Sequence, residues 1–205
     1  MGHRHDVDRC IGVIMAGGGS TRFGGRPKGL ERVGRARLID RVADALRTCC
    51  DDLLLVANDP EAERWIPGVT VRRDVRPNEG GLGGLHAALT HAAAPVIVVA
   101  WDMPFVTGAL LQRLRTCDPT ADAVLPWSPG PRGVEPLCAW YAPACLPVIT
   151  RCLDAGERAM VGFHHLVRLT VLPEGEVRTF GDPSELFLNV NTTDDLARAQ
   201  AIASR

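Results

Sequence analysis

The chain has 205 residues, of which 23% are charged and 46% hydrophobic, and its formal net charge is −1. This length and balance predict one globular domain with a sizeable core, and the charge gives no reason to expect nucleic-acid or membrane binding. No apolar stretch approaches the roughly 18 residues that a membrane-spanning helix needs. Residues 1–9 lack the apolar core of a signal peptide, so we expect a disordered lead-in to a single domain at 10–205.

The cysteines and histidines give no sign of a disulfide or metal site, but the cysteines indicate a cellular compartment. The seven cysteines are odd in number and form no C-x-x-C motif, which argues against a disulfide framework and against a zinc site. We therefore expect free thiols and a cytoplasmic localisation, where thiols stay reduced. We interpret His86, His91 and the vicinal pair His164–His165 as structural or solvated side chains, not as metal ligands.

The first predicted element is a buried strand over residues 10–15, followed by a glycine-rich loop that carries Arg22 and Lys28. Glycines directly after a strand let backbone N–H groups approach an anion, and basic side chains add charge-assisted hydrogen bonds to phosphate. The loop is not a P-loop, because Gly25 and not Lys follows Gly24. The dinucleotide-binding fingerprint also fails, because its third glycine would fall on Arg22. We therefore predict a triphosphate-binding loop of another type.

The rest of the first half alternates predicted helices and strands. We expect helices over 38–49, 61–65, 84–92 and 108–117, the last capped by Thr107, and strands over 53–59, 69–73 and 95–100. Residues 78–84, NEGGLGG, are predicted to form a second glycine-rich loop. The alternation predicts an α/β fold, a three-layer doubly wound and mostly parallel sheet. Ligands bind beyond the carboxyl ends of such strands, where Asn58, Asp74 and Asp102 are expected.

The second half is less regular. Strands are expected over 123–127, 134–141 and 168–172, a mobile loop at 128–133, and a strand end in 187–191. A helix is expected between Pro143 and Gly156, and Pro147 is expected to disturb it. The final helix is predicted to be capped by Thr192 or Thr193.

Asp102 is the residue that we predict to bind a metal ion. A carboxylate at the carboxyl end of a buried strand, facing a triphosphate, suits Mg²⁺, which keeps several waters and bridges to substrate phosphates. Lys28 and Arg22 are predicted to neutralise charge that develops on the phosphates during transfer. No protein nucleophile is needed, because such transfers depend mostly on positioning and electrostatics. The competing interpretations are a helix-capping or turn role for Asp102 and a plain tight turn for the glycines.

Several segments, in order along the chain, resemble the molybdenum cofactor guanylyltransferase family, whose members are MobA-like nucleotidyltransferases. The segments are MAGGGSTRFGGRPKGL (15–30), LLLVAND (53–59), NEGGLGGLHAAL (78–89), WDMPFV (101–106), EPLCAWY (135–141) and FLNVNTTDDL (187–196). The first signature is shared with many nucleotidyltransferases that use NTPs. The combination of E-P-L-x-A-x-Y with N-V-N-T-x-x-D-L is much closer to this one family.

The resemblance implies an enzyme that transfers GMP from GTP to the terminal phosphate of molybdopterin, using Mg²⁺ or alternatively Mn²⁺ and releasing pyrophosphate. It implies a Rossmann-like fold of the nucleotide-diphospho-sugar transferase type, with a nucleotide-binding half at 10–120 and an acceptor-binding half at 121–205. The implied partners are GTP and molybdopterin, with molybdoenzyme apoproteins or other cofactor-biosynthesis proteins as further candidates. Neither nucleic acid nor a membrane is among them.

The resemblance also assigns roles to residues that match the family motifs. In chain order, it implies that the backbone of Met15, Ala16 and Gly17 lines the nucleotide, that Lys28 contacts the phosphates, that Asn58 and Asp74 approach the nucleoside, that Asp102 touches metal and nucleotide, and that Asn189 and Asn191 are candidates for binding the acceptor. One of the two asparagines is alternatively a second metal ligand.

Some positions depart from the family pattern. Trp101 stands where the family usually has Cys, Pro27 where an acidic residue is common, and Thr193 where Pro would follow N-V-N-T. None of these departures removes a proposed catalytic group. The alternatives that stay open are a CTP-dependent molybdopterin cytidylyltransferase, another sugar- or polyol-phosphate nucleotidyltransferase, and a non-catalytic nucleotide or cofactor carrier. Lys28 and Asp102 argue against the carrier, since binding alone would not require a metal-binding carboxylate.

Overall fold

The computed structural model describes residues 9–17 and 27–205. Its strands are β1 (Ile11–Met15), β2 (Arg32–Val33), β3 (Ala36–Arg37), β4 (Asp52–Val56), β5 (Thr70–Arg72), β6 (Val96–Ala100), β7 (Ala123–Pro126), β8 (Cys138–Tyr141) and β9 (Leu169–Leu172). Its α-helices are α1 (Leu38–Arg47), α2 (Gly80–Ala92), α3 (Gly108–Thr116), α4 (Cys145–Asp154), α5 (Glu174–Val177), α6 (Pro183–Leu186) and α7 (Thr193–Ala203). Short 3₁₀ helices cover Lys28–Leu30, Ala62–Arg64, His164–Leu166 and Arg178–Phe180. The expected lead-in before Arg9 lies outside these residues.

A central sheet runs through both halves of the chain in the order β5-β4-β1-β6-β8-β7-β9, and β2 and β3 form a separate hairpin. Strands β5, β4, β1 and β6 are parallel, β8 is antiparallel to its neighbours β6 and β7, and β9 is parallel to β7. The chain moves outward from β1 to β4 and β5 and then returns to the other side of β1 as β6. That reversal creates a crevice beyond the carboxyl ends of β1 and β6, where doubly wound sheets bind ligands.

The side chains of β1 show why the sheet has helices on both faces. Ile14 packs in a core that contains α1 and α3, whereas Ile11, Val13 and Met15 pack in a core that contains α2 and α4. Alternate side chains of a strand point to opposite faces, so a strand that is apolar throughout is buried on both sides. The predicted three-layer, mostly parallel α/β fold is confirmed.

The prediction of a second glycine-rich loop at 78–84 is wrong, because α2 already begins at Gly80. These glycines serve close packing inside the first turns of the helix. A Cβ on Gly84 would lie 2.5 Å from Met15 Cε, and one on Gly81 would lie 2.8 Å from Met160 Cγ. The absence of side chains therefore brings the start of α2 against the carboxyl end of β1.

The predicted strands are too long in the regions that border this crevice. Strand β4 ends at Val56, and β8 begins only at Cys138, whose N–H donates to the Glu135 carbonyl at 3.2 Å in a tight turn. Pro136 lies inside this turn and has no N–H with which to continue a ladder. The expected strand end in 187–191 is irregular backbone outside the sheet.

The helix-end predictions have mixed outcomes. Pro147 does not disturb α4, because that helix begins at Cys145 and the proline occupies its first turn, where backbone N–H groups have no partner within the helix. Thr192, and not Thr193, caps α7 in a reciprocal capping box with Asp195. The Thr107 cap of α3 is confirmed, since its side chain accepts a hydrogen bond from the Leu110 N–H.

Candidate functional site

A cleft of about 570 Å³ opens beyond the carboxyl ends of β4, β1 and β6. It is lined by every predicted site residue that the structure describes, namely Met15, Ala16, Gly17, Lys28, Asn58, Asp74, Asp102, Asn189 and Asn191. Arg22, the remaining predicted residue, lies outside the described residues. The cleft thus brings together positions from the first strand, the ends of neighbouring strands and the segment before the last helix.

Three polar side chains converge at the centre of the cleft. The Lys28 ammonium donates to Asp102 Oδ2 at 2.5 Å and to Asn191 Oδ1 at 2.6 Å. The side chains of Lys28 and Asp102 are only 12% and 6% exposed, so this ion pair is screened little by solvent. The Asp102 and Asn191 side-chain oxygens, which come from distant parts of the chain, therefore converge on one positively charged group, the Lys28 ammonium.

The surroundings of Lys28 are set by aromatic packing. Gly29 packs against the indole ring of Trp101, so closely that a Cβ at residue 29 would collide with it. Trp101 in turn stacks on Trp65, with ring centroids 5.1 Å apart. Because Trp101 directly precedes Asp102, the same contact that positions the Lys28–Gly29 backbone also fixes the residue before the carboxylate.

A backbone hydrogen bond ties the two asparagines to Asp102. The Val190 N–H donates to the Asp102 carbonyl at 3.0 Å, which holds the flanking Asn189 and Asn191 at the cleft. The Asn191 N–H donates to Asp195 Oδ2 at 3.0 Å, so the capping box of α7 also anchors this segment. The irregular backbone at 187–191 is thereby fixed although it belongs to no strand.

Asn58 and Asp74 form a second polar pair at the other side of the cleft. Asn58 Nδ2 donates to Asp74 Oδ2 at 2.7 Å, and the Asp74 N–H donates to Asn58 Oδ1 at 3.0 Å. The residues follow the adjacent parallel strands β4 and β5, whose carboxyl ends meet at one edge of the sheet. The pair does not use Asp74 Oδ1, which can therefore accept hydrogen bonds from a ligand.

Sequence reasoning missed part of the lining. Asn78, Gly80, Gly81, Gly84 and Leu137 also border the cleft. The N-terminal backbone N–H groups of α2, which lack partners within the helix, make this wall favourable for anionic or polar ligand groups. The glycines within 80–84 are the sequence signal for this wall, although by composition they predict a loop.

The oxygens at the centre of the cleft fit a divalent metal ion. Within the described residues no group of three or more His, Cys, Asp or Glu side chains could hold a metal. Mg²⁺ needs no such cage, because it is commonly held by one or two protein oxygens together with substrate phosphates and waters. Asp102 and Asn191 supply two converging oxygens that already bind a cation, the Lys28 ammonium.

None of the helices in residues 9–17 and 27–205 is long and apolar enough to cross a membrane.

Several known proteins resemble this chain in sequence or in fold. Residues 12–169 match the family described as the MobA-like NTP transferase domain. A molybdenum cofactor guanylyltransferase from Desulfosudis oleivorans is 33% identical over 198 residues, which cover 95% of this chain and 96% of that protein. The molybdopterin-guanine dinucleotide biosynthesis protein A from Archaeoglobus fulgidus has a similar structure, with a TM-score of 0.78 at 27% identity, covering 95% of this chain and 98% of that one. Rv0371c from Mycobacterium tuberculosis, solved in complex with manganese, shares the fold with a TM-score of 0.66 at 20% identity, covering 94% of this chain and 98% of that one.

Proposed function

The chain belongs to the MobA-like NTP transferase family, and from this membership we propose that it transfers GMP from GTP to molybdopterin. An oxygen of the molybdopterin phosphate attacks the α-phosphorus of GTP and forms a new P–O bond. The bond from the α-phosphorus to the bridging oxygen breaks, and pyrophosphate leaves. The product is the guanine dinucleotide form of the cofactor.

The observation that carries this proposal is the convergence of Lys28, Asp102 and Asn191. Lys28 comes from the glycine-rich segment after β1, Asp102 from the end of β6, and Asn191 from the segment before α7. A transfer between two substrates needs groups from both binding regions at the reacting phosphate. A site for nucleotide alone would not need the side chains of the 187–191 segment there.

The residues of the cleft divide the work of binding and positioning. We propose that the backbone of Met15, Ala16 and Gly17 approaches the nucleotide, that Asn58 and Asp74 hold the nucleoside, and that Asn189 and Asn191 hold the acceptor phosphate. Lys28, together with Arg22, neutralises negative charge on the phosphates as the P–O bonds change. The division into a nucleotide-binding half at 10–120 and an acceptor-binding half at 121–205 stays a prediction.

We propose that Asp102 holds Mg²⁺ when the nucleotide is bound, with Mn²⁺ as an alternative. Asn191 is the second oxygen ligand in the alternative in which its side chain binds the metal ion instead of the acceptor phosphate. The ion would supply positive charge that stabilises the transferring phosphoryl group. The Lys28 ammonium pairs with the Asp102 carboxylate and neutralises its charge, and it also donates a hydrogen bond to the Asn191 amide oxygen. For the compartment we propose the cytoplasm, because all seven cysteines are free and thiols persist in reducing surroundings.

The test is pyrophosphate release by the purified protein with Mg²⁺ and molybdopterin, with GTP or CTP supplied in parallel. We expect turnover with GTP to exceed that with CTP by at least about tenfold, because a site that hydrogen-bonds one base leaves its polar groups unpaired with the other. Equal or reversed turnover would reject the guanylyl assignment and favour the cytidylyltransferase. Replacing molybdopterin with sugar or polyol phosphates in the same assay tests the remaining transferase alternative.

A further inference from the structure

A second recess of about 430 Å³ adjoins the nucleotide cleft and shares Asn189 with it. Its volume falls within the roughly 300–1,000 Å³ that is typical of small-molecule sites. It lies between the 128–135 segment, which follows β7, and the region around α6 and the start of α7. Nothing in the role of the first cleft requires this additional space.

Glu135 is the acidic residue that lines the recess. Its Oε1 accepts the Leu137 N–H at 3.0 Å, while Oε2 receives no hydrogen bond from the described residues. Burial raises the pKa of the Glu135 carboxyl, and the nearby Asp102 carboxylate acts in the same direction, whereas the Leu137 N–H and the Arg132 guanidinium oppose the shift. The carboxylate thus has one oxygen committed to the protein and one available to a ligand.

The remaining lining combines apolar walls with positive charge. Pro131 and Phe187 contribute apolar surface, and the side chain of Ser128 is buried beside them. Arg132 is exposed and forms no hydrogen bond or ion pair with the described part of the chain. Arg198 donates from Nη2 to the Ser184 carbonyl at 3.2 Å. The recess therefore suits a flat heteroaromatic group that carries hydrogen-bond donors and is attached to anionic groups.

Resting on the proposed function, we propose that this recess binds the pterin ring of the acceptor, and that Glu135 recognises the ring's amino-pyrimidinone edge. That edge presents adjacent N–H donors, which complement a carboxylate oxygen. Asn189 lies on the shared wall of both cavities, so the part of the acceptor that links pterin to phosphate passes this residue. Arg132 at the rim pairs with the anionic groups of the acceptor.

A purely structural role for Glu135 would be to support the turn before β8 through Leu137. Glu135→Gln separates the two roles, because the amide oxygen still accepts the Leu137 N–H while the other oxygen becomes an NH₂ donor that faces the donors of the ring. We expect the KM for molybdopterin to rise at least about tenfold, since unpaired buried polar groups are costly, and the KM for GTP to change less than about twofold. Equilibrium dialysis with molybdopterin alone should show the same loss of affinity.

Two further variants complete the experiment. Glu176→Gln is the matched control, since Glu176 pairs with Arg113 outside both cavities, and it should leave both KM values unchanged. Arg132→Gln changes an exposed residue that does not support the fold, and it should raise the KM for molybdopterin severalfold and weaken the salt dependence of molybdopterin binding.

The outcomes distinguish the subsite from the proposed function. Wild-type-like molybdopterin affinity in Glu135→Gln, or an equal rise of both KM values, would overturn the pterin subsite while transfer by the wild-type protein upheld the function. A wild-type protein that binds GTP but neither binds molybdopterin nor transfers GMP to it would overturn both.

Discussion

At the amino end of β1, Asp51 and Arg115 bond to backbone groups as well as to each other, whereas at its carboxyl end the Lys28 ammonium bonds to two other side chains. The Cys10 N–H donates to Asp51 Oδ2 at 2.8 Å, and Arg115 Nη1 donates to the Cys49 carbonyl at 2.6 Å. At the carboxyl end, Lys28 pairs with the side chains of Asp102 and Asn191. One strand therefore joins two polar clusters that are built differently.

The difference separates stabilising groups from groups that can act on a ligand. When a side chain that bonds to a buried backbone group is removed, the backbone group is left without a hydrogen-bond partner. The loss of that bond lowers the free energy of unfolding. A side chain that pairs with another side chain can exchange that partner for a phosphate or a metal ion. We therefore expect substitutions at the carboxyl end to reduce turnover and those at the amino end to reduce stability.

Asp102→Asn should produce the largest effect. The amide keeps an oxygen that can accept the Lys28 bond but removes the negative charge for a metal ion. We expect turnover to fall at least about 100-fold, the scale of losing one preorganised electrostatic contact, with only a modest loss of nucleotide affinity. Pyrophosphate release and nucleotide titration measure the two quantities. Wild-type-like turnover in this variant would contradict the metal role, whereas an absence of turnover in the wild-type protein would favour the non-catalytic carrier.

Asp51→Ala should show the opposite pattern at the amino end. The Cys10 residue is 2% exposed, so its N–H would be left buried without an acceptor, which costs about 1–3 kcal/mol of unfolding free energy. Urea denaturation measures the stability, and pyrophosphate release per folded molecule should stay at the wild-type level. A loss of turnover without a loss of stability would show that the two ends are not functionally separate.

We expect His164 to have a smaller effect, which is on the pH dependence of the unfolding free energy. It packs edge-on against Phe163, with ring centroids 4.9 Å apart, and Phe163 packs on Tyr141, which pairs with Val96 at the amino end of β6. Burial lowers the pKa of His164 from 6.5 to about 4. Its Nε2 is buried without a partner in the described residues. The neutral ring is therefore favoured in the folded state.

Because the unfolded chain takes up the proton first, this stabilisation is complete above about pH 6.5 and is lost as the pH falls toward 4. We expect His164 to account for about 1–2 kcal/mol of the loss of unfolding free energy between pH 7 and pH 5. His164→Gln should therefore lose less stability over this interval than the wild type does, while the exposed neighbour His165 provides a matched His165→Gln control that should behave like the wild type. An identical pH response in His164→Gln and wild type would refute the assignment.

Local patterns in the sequence predicted much of this arrangement. The apolar run before Met15 and that before Asp102 predicted strands, and the residues that follow them lie at the cleft as expected. The predictions failed where packing overrides local signals. The glycines of 78–84 predict a loop, yet they lie in α2 and allow close contact with Met15. The turn at Glu135–Pro136 makes β8 shorter than the predicted strand.

The sequence by itself determined the alternation of strands and helices, because apolar periodicity is a local property of the chain. It also determined which residues follow the strands, and hence which side chains reach one edge of the sheet. Only the tertiary structure decided that Lys28 meets Asp102 and Asn191, which lie 74 and 163 residues away along the chain. Such meetings depend on strand order and on the path of the irregular 187–191 segment. The recess beside Asn189 likewise exists only because segments after β7 and around α6 fold together, and no local pattern encodes the space between them.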